Sequence, residues 1–144
     1  MENKRYRPLF DKLYLWIVIP TNIVFIGLMV IPIIMAPTAL FVTVPVFVFV
    51  NYFLLSPAFG YVELREEGVF IKFGFFMKRH ISYSAVRGLS KESKFYADSM
   101  LSLKNSLDHV NIKYNRFDMV SVSVVGNDEL ISEIAERAGI SNKI

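Results

Sequence analysis

The sequence predicts an α+β fold: a transmembrane helical hairpin followed by a bent antiparallel β-sheet or partial barrel with a C-terminal helix. Three observations predict it. Residues 13–62 run for 50 positions without one Asp, Glu, Lys, Arg or His. Residues 61–125 then alternate apolar and polar side chains between turn signals, the period-two signature of strands. Residues 127–138 switch to a helical apolar stripe that ends at a glycine.

Taken in chain order, residues 1–12 read as a basic cytoplasmic tail. Lys4, Arg5, Arg7 and Lys12 stand there against Glu2 and Asp11, and the cluster is expected to anchor the chain at lipid headgroups. Residues 13–59 form the hairpin. A bilayer core about 30 Å thick needs about 20 apolar residues in a helix, so this stretch holds two spans and a tight turn. Span one covers residues 13–35, Ala36, Pro37 and Thr38 make the turn, and span two covers residues 39–59. Backbone groups in hydrocarbon must bond internally, so both spans are expected to be helical, with Pro20, Pro32 and Pro45 as kinks.

The turn carries no charge, whereas Lys and Arg flank both outer ends. The positive-inside rule then puts the chain in the cytoplasmic membrane as a multi-pass protein with both termini cytoplasmic. Tyr14, Trp16 and Tyr52 are expected as interfacial anchors. A cleaved signal peptide is the competing reading of residues 1–35, but the apolar run is long for one, and Pro37 follows the plausible cleavage residue. Asn22 and Asn51 lie at equal distance from the turn, hence at one depth. They are an expected polar pair between the helices, read as a clasp, as an interaction site or as interfacial tolerance.

Residues 60–144 form the polar domain. Strands are expected over residues 61–66, 69–73, 76–83, 86–93, 109–114 and 119–125. Glu67-Gly68 and residues 115–118 serve as turns. Residues 94–108 break the pattern and read as a loop with short helical or extended pieces. Asn127 is the expected N-cap of the closing helix, with Asp128 and Glu129 at the positive end of its dipole. Leu130, Ile131, Ile134, Ala135 and Ala138 make its apolar stripe, and Gly139 sits at C′.

Composition excludes several chemistries. There is no cysteine, hence no disulfide or thiolate site. His80 and His109 lack ligand spacing and are expected as exposed strand residues. Asp108 and His109 are neighbours on a strand and point to opposite faces. No phosphate-binding loop, nucleophile elbow or metalloprotease motif occurs, so no enzymatic activity and no cofactor are expected. The polar domain carries nearly balanced charge, which argues against nucleic acid as a partner. Its basic residues Lys72, Lys78, Arg79, Arg87, Lys91 and Lys94 are read as a candidate anionic-lipid surface, or alternatively as a solvated sheet edge.

The order of these elements resembles a known family. The series Tyr61-Val-Glu-Leu, Glu67-Gly-Val-Phe-Ile-Lys-Phe-Gly and His80-Ile-Ser-Tyr-Ser-Ala-Val is similar to small bacterial pleckstrin-homology-like (PH-like) domains, often preceded by two membrane spans. Ala97-Asp-Ser-Met-Leu-Ser-Leu leading into Val110-Asn-Ile-Lys-Tyr fits their middle stretch. Val120–Val124 and the helix fit their close. The resemblance covers residues 61–138 plus the hairpin and implies a PH-like partial barrel.

Some members with this layout look like self-immunity proteins against leaderless bacteriocins, which are cationic membrane-active peptides. The resemblance therefore implies a non-enzymatic membrane protein whose partners are the bilayer and such a peptide. Capture of a cationic peptide must lean on apolar and aromatic surface, with Phe41, Phe47, Phe49, Tyr52 and Phe53 as candidates. The alternative is a membrane-tethered adaptor for a cytoplasmic protein, a transporter subunit or anionic lipid.

Overall fold

The computed structural model describes residues 2–75, 77–94, 102–103 and 106–141. The chain opens with strand β1 (Lys4–Tyr6) and enters helix α1 (Lys12–Met35). A short 3-10 turn leads into helix α2 (Leu40–Leu55). A second 3-10 turn, Ser56–Phe59, delivers it to β2 (Tyr61–Leu64). The remaining elements are β3 (Gly68–Lys72), β4 (Lys78–Ser82), β5 (Val86–Ser93), β6 (Ser102–Leu103), β7 (Asp108–Tyr114), β8 (Asp118–Val122) and α3 (Asn127–Ala138).

Residues 14–35 and 37–59 form helices long and apolar enough to cross a membrane, and almost none of their residues is buried by the rest of the chain. Ile34, Met35 and Phe41 are at least three-quarters exposed, which a core helix of a water-soluble domain would not show. The helices pack as an antiparallel pair. Phe25 meets Phe47 edge-on at 6.1 Å, and the Tyr14 hydroxyl donates to the Leu54 carbonyl at 2.6 Å. Pro20, Pro32 and Pro45 all lie inside continuous helix.

Asn22 and Asn51 do not form the expected clasp. Each amide donates within its own helix, to the Val18 carbonyl at 2.9 Å and the Phe47 carbonyl at 3.0 Å. Equal depth does not put two side chains on facing stripes, and a carbonyl one turn back is always within reach.

The sheets hold the largest departure from the sequence reading. The expected cytoplasmic tail, residues 1–12, contributes a strand to the domain. β1 pairs antiparallel with β2, matching Lys4 to Leu64, Arg5 to Glu63 and Tyr6 to Val62. The chain then continues beside the end of the second sheet. Pro8 bridges Val124, Leu9 N–H donates to the Ser123 carbonyl, and Val125 N–H donates to the Arg7 carbonyl. Three strand residues are too few to show alternation, so no periodic signal marks them. The membrane hairpin is therefore an insertion between two neighbouring strands of one sheet.

Sheet one has the order β1-β2-β3-β4, and sheet two has β5-β7-β8-β6. β6 runs parallel to β8, within the stretch expected to be a loop; residues 95–101 and 104–105 of that stretch lie outside the described set. The two sheets enclose Val62, Leu64, Ile71, Ile81, Ile112 and Val120, all fully buried. α3 adds Leu130 and Ile134 to the same core.

Gly126, with φ 94°, is the N-cap of α3 in place of Asn127. Asn127 instead accepts the Val124 N–H on its side-chain oxygen at 2.9 Å, tying the helix to the end of β8. Gly139 takes the left-handed C′ position as expected.

His109 is fully buried, against expectation. Both faces of the β7–β8 pair are covered. Val110 and Ile112 fill one face, whereas His109, Asn111, Ser121 and Ser123 form a buried polar layer on the other. Ser121 donates to Asn111 at 2.6 Å, and Nδ1 of His109 lies 3.0 Å from the Leu107 carbonyl. A strand buried on both faces loses the one-sided alternation from which exposure is read.

Leu130→Ala should cost about 2–5 kcal/mol through the cavity it leaves in this core. A lowered thermal midpoint of the detergent-solubilised chain would show it. Phe117→Ala, at the 86% exposed tip of the β7–β8 turn, should leave that midpoint unchanged.

Candidate functional site

The last turns of α2 place Val48, Phe49, Tyr52 and Phe53 on one stripe, at helical spacing. The 3-10 turn carries Ser56 and Pro57 onward to the sheet. The β3–β4 connection folds back onto this stripe with Phe73, Gly74, Phe75 and Met77. Together they line a groove of about 850 Å³ whose walls are almost wholly apolar. Phe75 stacks on Tyr52 at 5.0 Å between ring centroids and meets Phe59 at 4.6 Å.

Gly74 makes this closure possible. Its φ is +143°, a conformation open to glycine, and a Cβ there would lie 1.9 Å from the Ser56 hydroxyl oxygen. The strand connection thus touches the helix exit backbone to side chain, and a methyl group there would push the Ser56 hydroxyl aside.

Just beyond the groove the outer face of sheet one begins. Its first row, immediately after α2, is Tyr61–Lys72–Lys78, directly paired across β2, β3 and β4. Its next outward row is Arg5–Glu63–Phe70–His80. The Arg5 guanidinium lies 4.2 Å from the Tyr61 ring centroid, Arg65 lies 4.1 Å from that of Phe70, and the Lys72 ammonium is 5.9 Å from Tyr61.

Glu63 is the acid at the centre of this face. It accepts from Arg65 at 2.7 Å and Arg5 at 3.1 Å. The hydrogen bond from Arg65, then that from Arg5, holds its carboxyl below the ordinary carboxylate range against the opposing effect of burial. No such partner reaches Lys72 or Lys78; neither makes an ion pair among the described residues.

The six cations expected as one patch are divided by the fold. Lys72 and Lys78 share the outer row of sheet one. Arg79 turns to the other face and donates to the Tyr114 hydroxyl at 3.1 Å. Arg87 and Lys91 belong to β5 in sheet two, and Lys94 directly follows it. There Lys91 pairs with Asp128 and Lys94 with Glu92, each at 2.9 Å.

The N-terminal cluster is divided as well. Lys4 pairs with Glu129 and Glu133 of α3, and Arg5 pairs with Glu63, while Arg7 and Lys12 are exposed. Of the expected interfacial anchors, Trp16 is 75% exposed, Tyr14 holds the two helices together and Tyr52 lines the groove. Of the aromatic capture candidates, Phe49 and Tyr52 and Phe53 line the groove, Phe47 packs on Phe25, and Phe41 is exposed near the hairpin turn.

With the sheets, helix and hairpin described, comparison with known proteins assigns the fold. A profile described as Bacterial PH domain matches residues 60–138, more than half of the chain. The chain belongs to the bacterial PH domain family. No curated protein and no solved structure matches it. The PH domain match begins after the hairpin, whereas the strand completing sheet one comes from residues 4–6, before it. This bacterial PH domain therefore carries two apolar helices inside its β1–β2 connection.

Sequence reasoning missed Gly74, Phe75 and Met77. The available signal was the apolar sequence run Phe75-Phe76-Met77 directly after Gly74, where a solvated turn would carry polar residues.

Two outcomes follow. Gly74→Ala should cost about 1–3 kcal/mol in backbone strain. It should also separate the β3–β4 connection from Ser56, seen as faster amide exchange across residues 73–77. Glu63 has a depressed carboxyl pKa, so its stabilising effect is present above the unfolded carboxylate value and fades as pH falls through the folded one. The thermal midpoint should therefore drop below about pH 4.3, the unperturbed value of a glutamate. Glu63→Gln should flatten that part of the pH profile.

Proposed function

We propose that this bacterial PH domain protein is a non-enzymatic integral membrane protein of the cytoplasmic membrane that protects its host from a cationic, membrane-active leaderless bacteriocin. Both termini face the cytoplasm in this reading. The observation that carries it is the aromatic groove at the base of α2. A peptide dissolved in the bilayer reaches the groove sideways along the helix, without crossing water. Phe49, Tyr52 and Phe53 offer the apolar and aromatic contact that a cationic peptide can use.

One observation favours a second reading, a tethered adaptor. β5 is an outer strand of sheet two, and beside it a groove of about 550 Å³ is lined by Arg87, Lys113 and Ile140. An extended peptide could add a strand to that edge.

Expression in a sensitive host, followed by inhibitory concentrations for a panel of leaderless cationic bacteriocins, separates the two readings. Selective protection against one peptide is expected. Phe49→Ala with Phe53→Ala should reduce it about tenfold or more, the effect of removing aromatic anchors worth about 2 kcal/mol. Absence of protection from every peptide, with the protein present in the membrane, would transfer the assignment to the adaptor.

A further inference from the structure

Among the described residues, β5 bonds to β7 on one side and to no strand on the other. The hydrogen-bond phase shows which backbone groups face the open side. Lys94 N–H donates to the Leu107 carbonyl, one step beyond the Ser93–Asp108 pair. Bonded and non-bonded pairs alternate along an antiparallel ladder. The N–H and C=O groups of Leu89, Lys91 and Ser93 therefore point away from β7, where a further strand can meet them. Gly88 stands beside this edge, and nothing among the described residues requires a glycine there. Its φ is not positive, and a Cβ built on it meets no described atom within 4 Å. The register shift next to it is carried by Arg87. A glycine inside a strand weakens it and often marks a place where a ligand or another backbone comes close.

We infer that β5 accepts an extended segment of another protein as a further strand, and that this segment carries an acidic side chain opposite Gly88 and an apolar one opposite Leu89. Directly opposite side chains share a face of the sheet. The residue opposite Leu89 turns inward, where Ile140 lines the same groove of about 550 Å³. The residue opposite Gly88 turns outward. Lys113 is directly paired with Gly88 on that face, and the missing Cβ leaves its stem a clear path across the strand. Arg87, exposed, lines the groove beside them. Two cations around one position call for a carboxylate there. A second copy of this chain fits poorly, because two β5 edges paired antiparallel about Leu89 would set each Arg87 against a Lys91. The inference deepens the tethered-adaptor reading, on which it rests, by naming the chemistry of the partner.

The probe is the acetylated, amidated peptide Ser-Thr-Val-Glu-Val-Thr-Ser, titrated calorimetrically into the full chain in detergent. It should bind with a Kd below about 1 mM, and about tenfold more tightly than the same peptide with Lys in place of Glu. Amide exchange at Leu89 and Lys91 should slow on binding, and N-methylation of the two peptide valines should abolish both effects. Gly88→Val should weaken binding about tenfold or more while leaving the thermal midpoint unchanged or raised, since the new side chain enters open space on a strand. Arg87→Gln with Lys113→Gln should erase the preference for Glu over Lys, and Arg87→Lys with Lys113→Arg should keep it.

Equal binding of the Glu and Lys peptides, with the same slowing at Leu89 and Lys91, would overturn the acidic partner and leave strand addition and the adaptor standing. Binding by neither peptide would overturn both. Full binding by the Gly88→Val variant, or a preference for Glu that survives loss of both cations, would also overturn the inference. Self-association of the chain through the same amides, relieved by neither peptide, would give the edge to a second copy and overturn it as well.

Discussion

Strands β1 and β2 lie side by side in one sheet, although the whole membrane hairpin separates them in sequence. Neighbouring strands are about 4.8 Å apart, so this pairing brings the start of α1 and the end of α2 back to one place. It makes the helices antiparallel, puts the amino terminus on the same side of the hairpin as the sheets, and leaves no tether between membrane and domain. β1 also covers what would be an open edge of β2, contributes buried Tyr6 to the core and leads into the bridge between Pro8 and Val124 that joins the sheets.

That fixed placement lets one groove be shared by a membrane helix and a strand connection. The contact depends on a glycine with positive φ against a serine, and on an aromatic stack between Tyr52 and Phe75. Neither element forms the groove alone. α2 by itself offers a stripe for lipid or helix packing, and the β3–β4 connection by itself is an exposed apolar tip.

The electrostatics sort the basic residues by what the fold asks of them. Lys4, Arg5, Arg65, Lys91 and Lys94 all meet carboxylates, several of which lie far away in sequence. Exposed pairs of this kind contribute about 0–1 kcal/mol each, so their main effect is to remove those cations from the binding surface. Lys72 and Lys78, paired on the outer face of sheet one, make no ion pair among the described residues. The near-neutral charge of the domain conceals this division, because it averages matched and unmatched groups.

The sequence alone determined the apolar helical hairpin, two helices long and apolar enough to cross a membrane. It also determined most strands of the PH domain, the β7–β8 turn and α3. In each of these, local periodicity and turn chemistry agree with burial on a single face. Three things needed the tertiary structure. Residues 4–6 are too short for a period, and only pairing with residues 62–64 makes them a strand. His109 was taken as exposed because both faces of β7 are covered, which alternation does not reveal. The basic patch dissolved because side chains consecutive in a strand point to opposite faces, and because acids distant in the chain claimed some of them. Pairing, coverage and charge partnership are relations between distant residues, and a local reading of the chain contains none of them.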